Sequence, residues 1–444
     1  MLQARRGLSR VRQRLAGNRI LLWVCLVIAV NQLGFGIIVP VTPIYARTFG
    51  VSEVAIGLVV AVYGLGRFLF SAPTGKAADR FGRKRTIFAG TILTCVGSLL
   101  CGLATDFTQL LIYRFIAGIG STAVITGTQI VVADVATREN RGRMMSTYQG
   151  FFAFVVGVGP SIGGVVALLA GPRAPFFVFA LLTLVAGAIA LTQLPETSEA
   201  HKPAVLLPDP AQPPQPVSPF ESMQPALTHA GHTPALPAGP PETRSVVRQL
   251  LTNVGFLCVA LVTFQHAFTR TGALFSVVPL MGVERIGLDP AAIGFALTTG
   301  NLLNLGVITL AGVLVDRYGR KPVIVPSCLL SACAFVGFAF APDYPTFVLS
   351  AVLWGIGSAL GGSAGAYAAD QAPPGGNGVT MGIYRTLSDA GYVLGPVLLG
   401  LVAAGAGAQA SLLTAAAVAI VAMLPFALFA PETPPRTRVA PGPA

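Results

Sequence analysis

Residues 75–85 read GKAADRFGRKR, and residues 312–322 read GVLVDRYGRKP. The two motifs lie 237 residues apart, and this offset also places residues 118–120 on residues 355–357, both reading GIG. Apolar segments that resembled each other by chance would not keep one register through polar loops. The chain is therefore predicted to contain two copies of one structural unit, with a binding site between them. Further pairs at offsets of 237 or 236 are 55–57 with 292–294, Asp134 with Asp370, 159–160 with 395–396, and 195–197 with 431–433.

Long apolar runs flank both motifs. Of the 444 residues, 53% are hydrophobic and 10% are charged, whereas a soluble domain carries about 25% charged residues. Crossing a hydrocarbon core takes about 20 helical residues, and an isolated strand in lipid would leave its backbone unpaired. The sequence thus predicts an all-α membrane protein with 12 transmembrane helices arranged as two six-helix pseudo-repeats. The predicted spans are 20–45, 54–73, 86–104, 107–133, 146–170, 175–194, 251–279, 290–314, 323–341, 345–369, 381–405 and 409–430.

These spans divide the chain into bundles, a linker and tails. The run after Arg19 is too long for a cleavable signal peptide and no small-residue cleavage site ends it, so we expect it to remain as the first span. The linker is rich in proline, and its scattered histidines (His201, His229 and His232) have no fixed geometry that would predict a metal site. The predicted parts are a basic cytoplasmic N-terminus (1–19), an N-terminal bundle (20–194), a cytoplasmic linker (195–245), a C-terminal bundle (246–430) and a cytoplasmic tail (431–444).

Positive charge predicts the orientation. With the N-terminus in the cytoplasm, the inner segments hold 22 Lys and Arg residues and the outer loops hold three, which obeys the positive-inside rule. We therefore expect a multi-pass protein of the bacterial cytoplasmic (inner) membrane with both termini cytoplasmic. The net charge of +12 is explained by topology and lipid headgroups, so no nucleic-acid partner is predicted. The expected partners are the lipid bilayer and a small-molecule substrate, and the expected state is a monomer.

The motifs resemble those of the major facilitator superfamily, in particular its 12-helix drug:proton antiporters. The doubled loop carries the resemblance, together with LLIYRFIAGIG around Arg114, GVGPSIGG in span five and PET at the end of each half. In that superfamily the span-five motif is associated with exporters that exchange drugs for protons. Span eleven carries a similar Gly391-x-x-x-Gly395-Pro396, so both halves could instead need glycine for close packing.

The resemblance implies secondary active transport by alternating access, as proton-coupled efflux of small organic molecules or drugs. No GxxxxGK[ST] phosphate-binding sequence occurs, so a proton gradient is the expected energy source, with no cofactor. Two alternatives remain: an importer or facilitator of an organic anion or metabolite on the same fold, and a membrane sensor or enzyme that transports nothing. An enzyme would need a nucleophile-base or metal cluster, and the spans hold one histidine and one deep carboxylate.

The doubled loops carry paired charges. Asp79 and Asp316 each follow the end of a span, with basic residues close behind. By the resemblance, six residues form a latch that holds the cytoplasmic side when the protein opens outward; the alternative is charge that serves topology alone. The six are Asp79, Arg83 and Asp134 in the first half and Asp316, Arg320 and Asp370 in the second.

Ionisable residues within spans are costly and are functional candidates. Asp389 is the only carboxylate well inside a span, so it is the predicted proton-coupling group, with His266 as a second candidate. In tetracycline-type exporters a carboxylate stands at the position of Asn31, and an amide cannot take up a proton. His266 and Arg270 are four residues apart and share a helix face.

The predicted substrate cavity is rich in arginine. Arg114 is unmatched in the repeat, where Ala351 stands, which favours function over scaffold. Arg385 and Asp389 are four residues apart and could form an internal pair. Four arginines against one aspartate favour anionic or polarised neutral substrates. The cavity candidates are Asn31, Arg67, Arg114, Tyr148, Arg270, Asn301, Asn304 and Arg385.

Overall fold

The computed structural model describes residues 2–136, 140–198, 243–373 and 376–432. All regular structure in this part of the chain is helical, which confirms the predicted fold class. The helices of the first half are α1 (Leu2–Ile38), α2 (Glu53–Phe81), α3 (Arg83–Leu103), α4 (Phe107–Val135), α5 (Arg141–Ala170) and α6 (Ala174–Gln193). The second half has α7 (Val254–Ile286), α8 (Pro290–Tyr318), α9 (Lys321–Phe340), α10 (Tyr344–Asp370) and the run Asn377–Phe429, which holds α11 and α12.

The last run is two spans. Ten helices among the described residues are long and apolar enough to cross a bilayer, and α7, which follows the short helix Ser245–Thr252 at a bend of 83°, adds an eleventh. The 52 residues of Gly378–Phe429 would extend about 78 Å as one helix, well beyond a hydrocarbon core of about 30 Å. Gly407, with φ 87° and ψ 161°, breaks the run into α11 before it and α12 after it. These spans match the predicted total of twelve.

Several boundaries differ from the sequence-based prediction. Helix α1 ends at Ile38, and a separate short helix, Thr42–Arg47, follows a turn near Pro40. Helix α7 continues to Ile286 through two π-helical segments, Arg270–Val277 and Gly282–Ile286. The predicted linker also ends early, because a helix begins at Thr243. The linker histidines and the tail beyond Glu432 lie outside the described residues.

The repeat is visible in how the helices start. Asp106 and Asp343, 237 residues apart, each cap a helix by accepting a hydrogen bond from a backbone N–H, at 2.9 Å from Gln109 and 3.0 Å from Thr346. Gly82 and Gly319 turn the chain between consecutive helices with φ values of 97° and 90°, which a side chain would disfavour. The same local solutions therefore build both halves.

The halves touch through α2 with α11 and α5 with α8. A Cβ atom at Gly57 would collide with the carbonyl oxygen of Pro396, and one at Gly294 with that of Pro160. Thr298 accepts a hydrogen bond at 3.0 Å from the backbone N–H of Ser161. Without a hydrophobic force between helices in lipid, such backbone proximity is what holds spans together.

These contacts gather at one side of the molecule. We call the side with the α2–α3 and α8–α9 loops the basic side and the other the opposite side. Arg47 forms an ion pair with Glu284 at 2.9 Å on the opposite side, where Gly164 also packs against Pro290. No ion pair or hydrogen bond joins the two halves at the basic side among the described residues. The structure is thus closed at the opposite side.

We predict that Gly57→Leu opens the closed side. The added side chain must displace Pro396, and overpacking of this kind costs about 1–3 kcal/mol, so the closed population should fall roughly 5- to 100-fold. The measurement is the rate of disulfide formation between Arg47→Cys and Glu284→Cys in a cysteine-free background. Gly306→Leu is the matched control, because its position faces open space. An unchanged cross-linking rate in Gly57→Leu would contradict the packing argument.

Candidate functional site

The centre of the first half holds a buried arginine. Arg114 is 3% exposed, its Nε donates a hydrogen bond at 3.4 Å to the Val59 carbonyl oxygen, and its Cζ lies 4.5 Å from the centroid of the Tyr63 ring. Phe35 stacks on the other neighbour, Tyr63, with 5.4 Å between ring centroids. In this conformation Arg114 is packed within its own bundle, and its predicted role in substrate binding remains a prediction.

Unsatisfied amides lie beside this cluster. Asn31 is fully buried and neither of its side-chain polar atoms has a hydrogen-bond partner; the Oε1 of Gln32 and the hydroxyl of Tyr63 also lack one. Buried polar groups are nearly always bonded, so these atoms are candidates to meet water or a ligand. Tyr148 differs, because its hydroxyl is 2.9 Å from the Oγ1 of Thr128.

A second polar cluster joins the two halves. Tyr392 of α11 packs against Gly64 of α2, and the Cζ of Arg67 lies 5.6 Å from the centroid of the Tyr392 ring. Arg67 and Arg385 both act electrostatically on Asp389. Asp389 has no partner within ion-pair distance in the described part of the chain, so the possible Arg385–Asp389 pair is not formed here.

The second half encloses a cavity of about 390 Å³. His266 reaches Ser358 with 3.2 Å between Nε2 and Oγ and stacks on Trp354 at 6.3 Å between ring centroids. Arg270 borders the same cavity, and its buried Nε has no partner. The shared helix face predicted for His266 and Arg270 thus becomes a shared cavity wall. Serines of α9 and α10 line it too, which sequence reasoning missed.

The two asparagines of α8 occupy different places. Asn304 donates a hydrogen bond at 3.1 Å to the carbonyl oxygen of Gly355 and ties α8 to α10. Asn301 lies at the contact between halves, where a Cβ atom at Gly157 would stand 3.1 Å from its Cβ. Asn301 is therefore placed at the interface that a transported molecule would border, whereas Asn304 has a structural partner.

The charged loop of the first half forms a network. Arg83 pairs with Asp79 at 2.9 Å and with Asp134 at 3.1 Å. Glu196 accepts hydrogen bonds from the backbone N–H groups of Arg83 at 2.8 Å and Lys84 at 3.2 Å. These donors belong to the first turn of α3, where a carboxylate also meets the positive end of the helix dipole.

The second half repeats part of this network. Arg320 pairs with Asp370 at 2.7 Å, and Glu432 accepts from the Lys321 backbone N–H at 3.4 Å. Asp316 is exposed and forms no ion pair among the described residues. Every one of these contacts stays within one half. The doubled PET motif was the available signal for the two glutamate caps, which sequence reasoning left without a role.

No group of three or more metal-binding side chains occurs in the described ranges. The candidate residues instead form three clusters: around Tyr63, around Tyr392, and around the cavity with His266 and Arg270. Arginine is present in each, and Asp389 is the carboxylate at the second. The arrangement can bind and neutralise groups, and its splayed basic side lets molecules reach the region between the halves.

Comparison with known proteins gives a family match over nearly the whole chain. The model described as Major Facilitator Superfamily matches residues 24–288 and again 259–444. Multidrug resistance protein 2 of Bacillus subtilis is 23% identical over 381 residues, which cover 84% of this chain and 86% of the relative. Quinolone resistance protein NorA of Staphylococcus aureus is 24% identical and covers 71% of this chain and 72% of its own length.

A solved structure shares the fold. It is a bacterial homologue of the human lysosomal transporter Spinster in an inward-facing, unoccupied conformation, which superimposes with a TM-score of 0.74. The alignment covers 93% of this chain and 96% of that one at 17% identity. At this identity the likeness concerns the fold alone.

We predict that Asp134→Asn destabilises the protein more than Asp316→Asn does. Asp134 accepts from Arg83 and, at 2.8 Å, from the Thr197 hydroxyl, whereas Asp316 has no such contact in the described residues. The half-exposed network should contribute about 1 kcal/mol, measured as the difference in thermal unfolding of the purified protein. Equal melting temperatures for the two variants would show that the network contributes nothing measurable.

Proposed function

This chain belongs to the major facilitator superfamily of membrane transporters, and on that premise we propose that it exports small organic molecules in exchange for protons. The proposal includes alternating access, a place in the bacterial cytoplasmic membrane, cytoplasmic termini and a monomeric state. Drug export is supported by the names of the two resistance proteins to which the chain is similar. The family is one of transporters, so the sensor or enzyme alternative gains no support.

The single observation that carries the mechanism is the one-sided contact between the halves. Backbone contacts and the Arg47–Glu284 pair seal the opposite side, while the described loops of the basic side pair only within their own half. If the basic side is cytoplasmic, this is the state that admits a substrate from the cell. Rocking of the halves about the α2–α11 and α5–α8 contacts would then expose the substrate outside.

Asp389 is the proposed proton carrier. It lies near Arg67, which belongs to the other half, and near Arg385 of its own helix. As a carboxylate it attracts both arginines across the interface; once protonated it would release them. Proton binding would thereby weaken a link between the halves, and His266 is a second candidate because it faces the cavity.

The charged loops are the proposed latch. In the present conformation Arg83 and Arg320 bind aspartates of their own halves. In the conformation open to the other side, the loops of the two halves would approach each other, and these charges could pair across the gap. The latch would then set the rate of conformational exchange rather than the affinity for substrate.

Organic anion transport is the second candidate, and the charge distribution favours it. Arg67, Arg270 and Arg385 lie around the region between the halves with Asp389 as the carboxylate near them. Such a surface attracts anions and disfavours permanently cationic drugs. The direction of transport and the charge of the substrate are therefore tested separately.

We predict that everted membrane vesicles accumulate a fluorescent quinolone when respiration acidifies their lumen, because export from the cell is uptake into such vesicles. Nigericin, which collapses the pH gradient, should remove this accumulation, and vesicles without the protein are the control. A lipophilic cation should accumulate less than the quinolone. Accumulation only in right-side-out vesicles would refute export, and insensitivity to nigericin would refute proton coupling.

We predict that Asp389→Asn loses proton-driven accumulation, at least about tenfold, while facilitated exchange down a substrate gradient persists. The amide cannot carry a proton, but substrate can still be carried between the two sides. Asp389→Glu is the matched control, since it keeps a carboxyl group and should keep coupling. Accumulation by Asp389→Asn at the native level would remove this residue from the coupling step.

A further inference from the structure

The cavity beside His266 exists in only one of the two repeats. Helix α10 carries Gly361 and Gly365 at the cavity wall. Their counterparts in α4, 237 residues earlier, are Val124 and Thr128, and both are fully buried. The scaffold common to both halves therefore does not require the cavity; loss of two side chains created it.

Contacts support this pairing of positions. Val124 packs against Gly90 in the first half, and Gly361 lies against Ser327, the counterpart of Gly90. In the same way Thr128 bonds Tyr148 at 2.9 Å, and Gly365 lies near Tyr384, where a Cβ atom would stand 3.6 Å from the hydroxyl oxygen. The space that Val124 and Thr128 fill in α4 is thus open in α10.

The cavity is lined by cationic and hydroxyl groups. Arg270 has no hydrogen bond or ion pair in the described part of the chain, and its Nε is buried. No Asp or Glu is among the described residues that line the cavity. A guanidinium keeps its charge and offers five N–H donors, and leaving such a group unpaired in a low-dielectric interior is costly. An anionic ligand would supply the missing partner.

Hydroxyl groups define the remaining chemistry. Ser327 and Ser331 donate their own protons to carbonyl oxygens of α9, at 2.6 Å and 2.9 Å. Their oxygens can therefore accept hydrogen bonds from a ligand. Ser358 and His266 form a pair that can either donate or accept, depending on the tautomer. The wall thus suits a molecule with an oxyanion at one end and a hydroxyl or amino donor elsewhere.

We propose that this cavity binds a small organic oxyanion that also carries a hydrogen-bond donor, with Arg270 holding the acid group. At about 390 Å³ the cavity is within the range of small-molecule sites and exceeds what an inorganic ion needs. The cavity extends to α9, away from the contact between the halves, and opens toward Tyr392 at that contact. The claim that the occupant is transported rests on the proposed function, whereas binding itself does not.

Binding can be followed at the cavity itself. The chain has two tryptophans, Trp23 and Trp354, and Trp354 stacks on His266. Trp23→Phe leaves Trp354 as the reporter in full-length protein in nanodiscs. The probes are 6-hydroxyhexanoate, its neutral analogue 1,6-hexanediol, and inorganic phosphate. We expect 6-hydroxyhexanoate to change the fluorescence with saturation and at least about tenfold more tightly than the diol.

Variants test the anchor and the space separately. Arg270→Gln should weaken 6-hydroxyhexanoate binding roughly 10- to 100-fold, since hydrogen bonds to a charged group are lost, and Arg270→Lys should restore part of it. Gly361→Val and Gly365→Thr refill the cavity as in the first half, and both positions have room for a Cβ atom. Each should abolish binding, whereas Gly306→Val, at an open position, should leave it at the native level.

Three outcomes would overturn the proposal. Equal binding of the diol would remove the role of charge, tighter binding of inorganic phosphate would make a free ion the occupant, and native binding by both refilled variants would place the ligand elsewhere. Transport of labelled 6-hydroxyhexanoate is measured in parallel. Saturable binding without transport would overturn the claim that the occupant is cargo, and a failure of proton-driven export alone would refute the proposed function and leave the binding site intact.

Discussion

Close approach of backbone to backbone is the constraint on which this structure depends. In lipid, apolar side chains gain nothing by leaving the solvent, so helices associate where small residues let their backbones come together. Gly57 against Pro396 and Gly294 against Pro160 are such places, and both join the two halves. Within each half, Gly118 packs on Tyr63 and Gly355 on Gly300 in the same manner. Glycine thus determines both the shape of each bundle and the surface along which the bundles meet.

The two halves are copies, and their departures from symmetry are as informative as their agreement. Helix caps, glycine turns and the glutamates that follow each bundle recur at a fixed offset, because each solves the same local problem of ending a helix. Arg114 has Ala351 as its counterpart, and Val124 and Thr128 have glycines. A scaffold that needed these side chains would have kept them in both copies. The first half is consequently filled where the second half is hollow.

Buried charge connects this asymmetry with transport. Arg114 is stabilised inside its bundle by Tyr63 and a carbonyl oxygen, whereas Arg270 borders a cavity without a partner. Arg67 reaches across to Tyr392 and Asp389 in the other half. An arginine that is satisfied by its own bundle moves with it as one body. One that shares a partner across the interface, or lacks one, can respond to a proton or a substrate.

The sequence by itself determined the class, the number of spans, the repeat and the paired loop charges. Hydrophobic length and the need to satisfy backbone groups in lipid leave little choice of secondary structure, and a fixed offset is readable without coordinates. It also identified Asp389, Arg270 and His266, because ionisable residues inside apolar runs are conspicuous. The tertiary structure decided which of them meet. Helical spacing predicted that His266 and Arg270 share a face, but the cavity they border is built by glycines and serines from other helices. That Arg385 and Asp389 stand apart, and that Arg114 lies packed on Tyr63, follows from side-chain direction and from neighbours distant in the sequence, which a one-dimensional pattern does not contain.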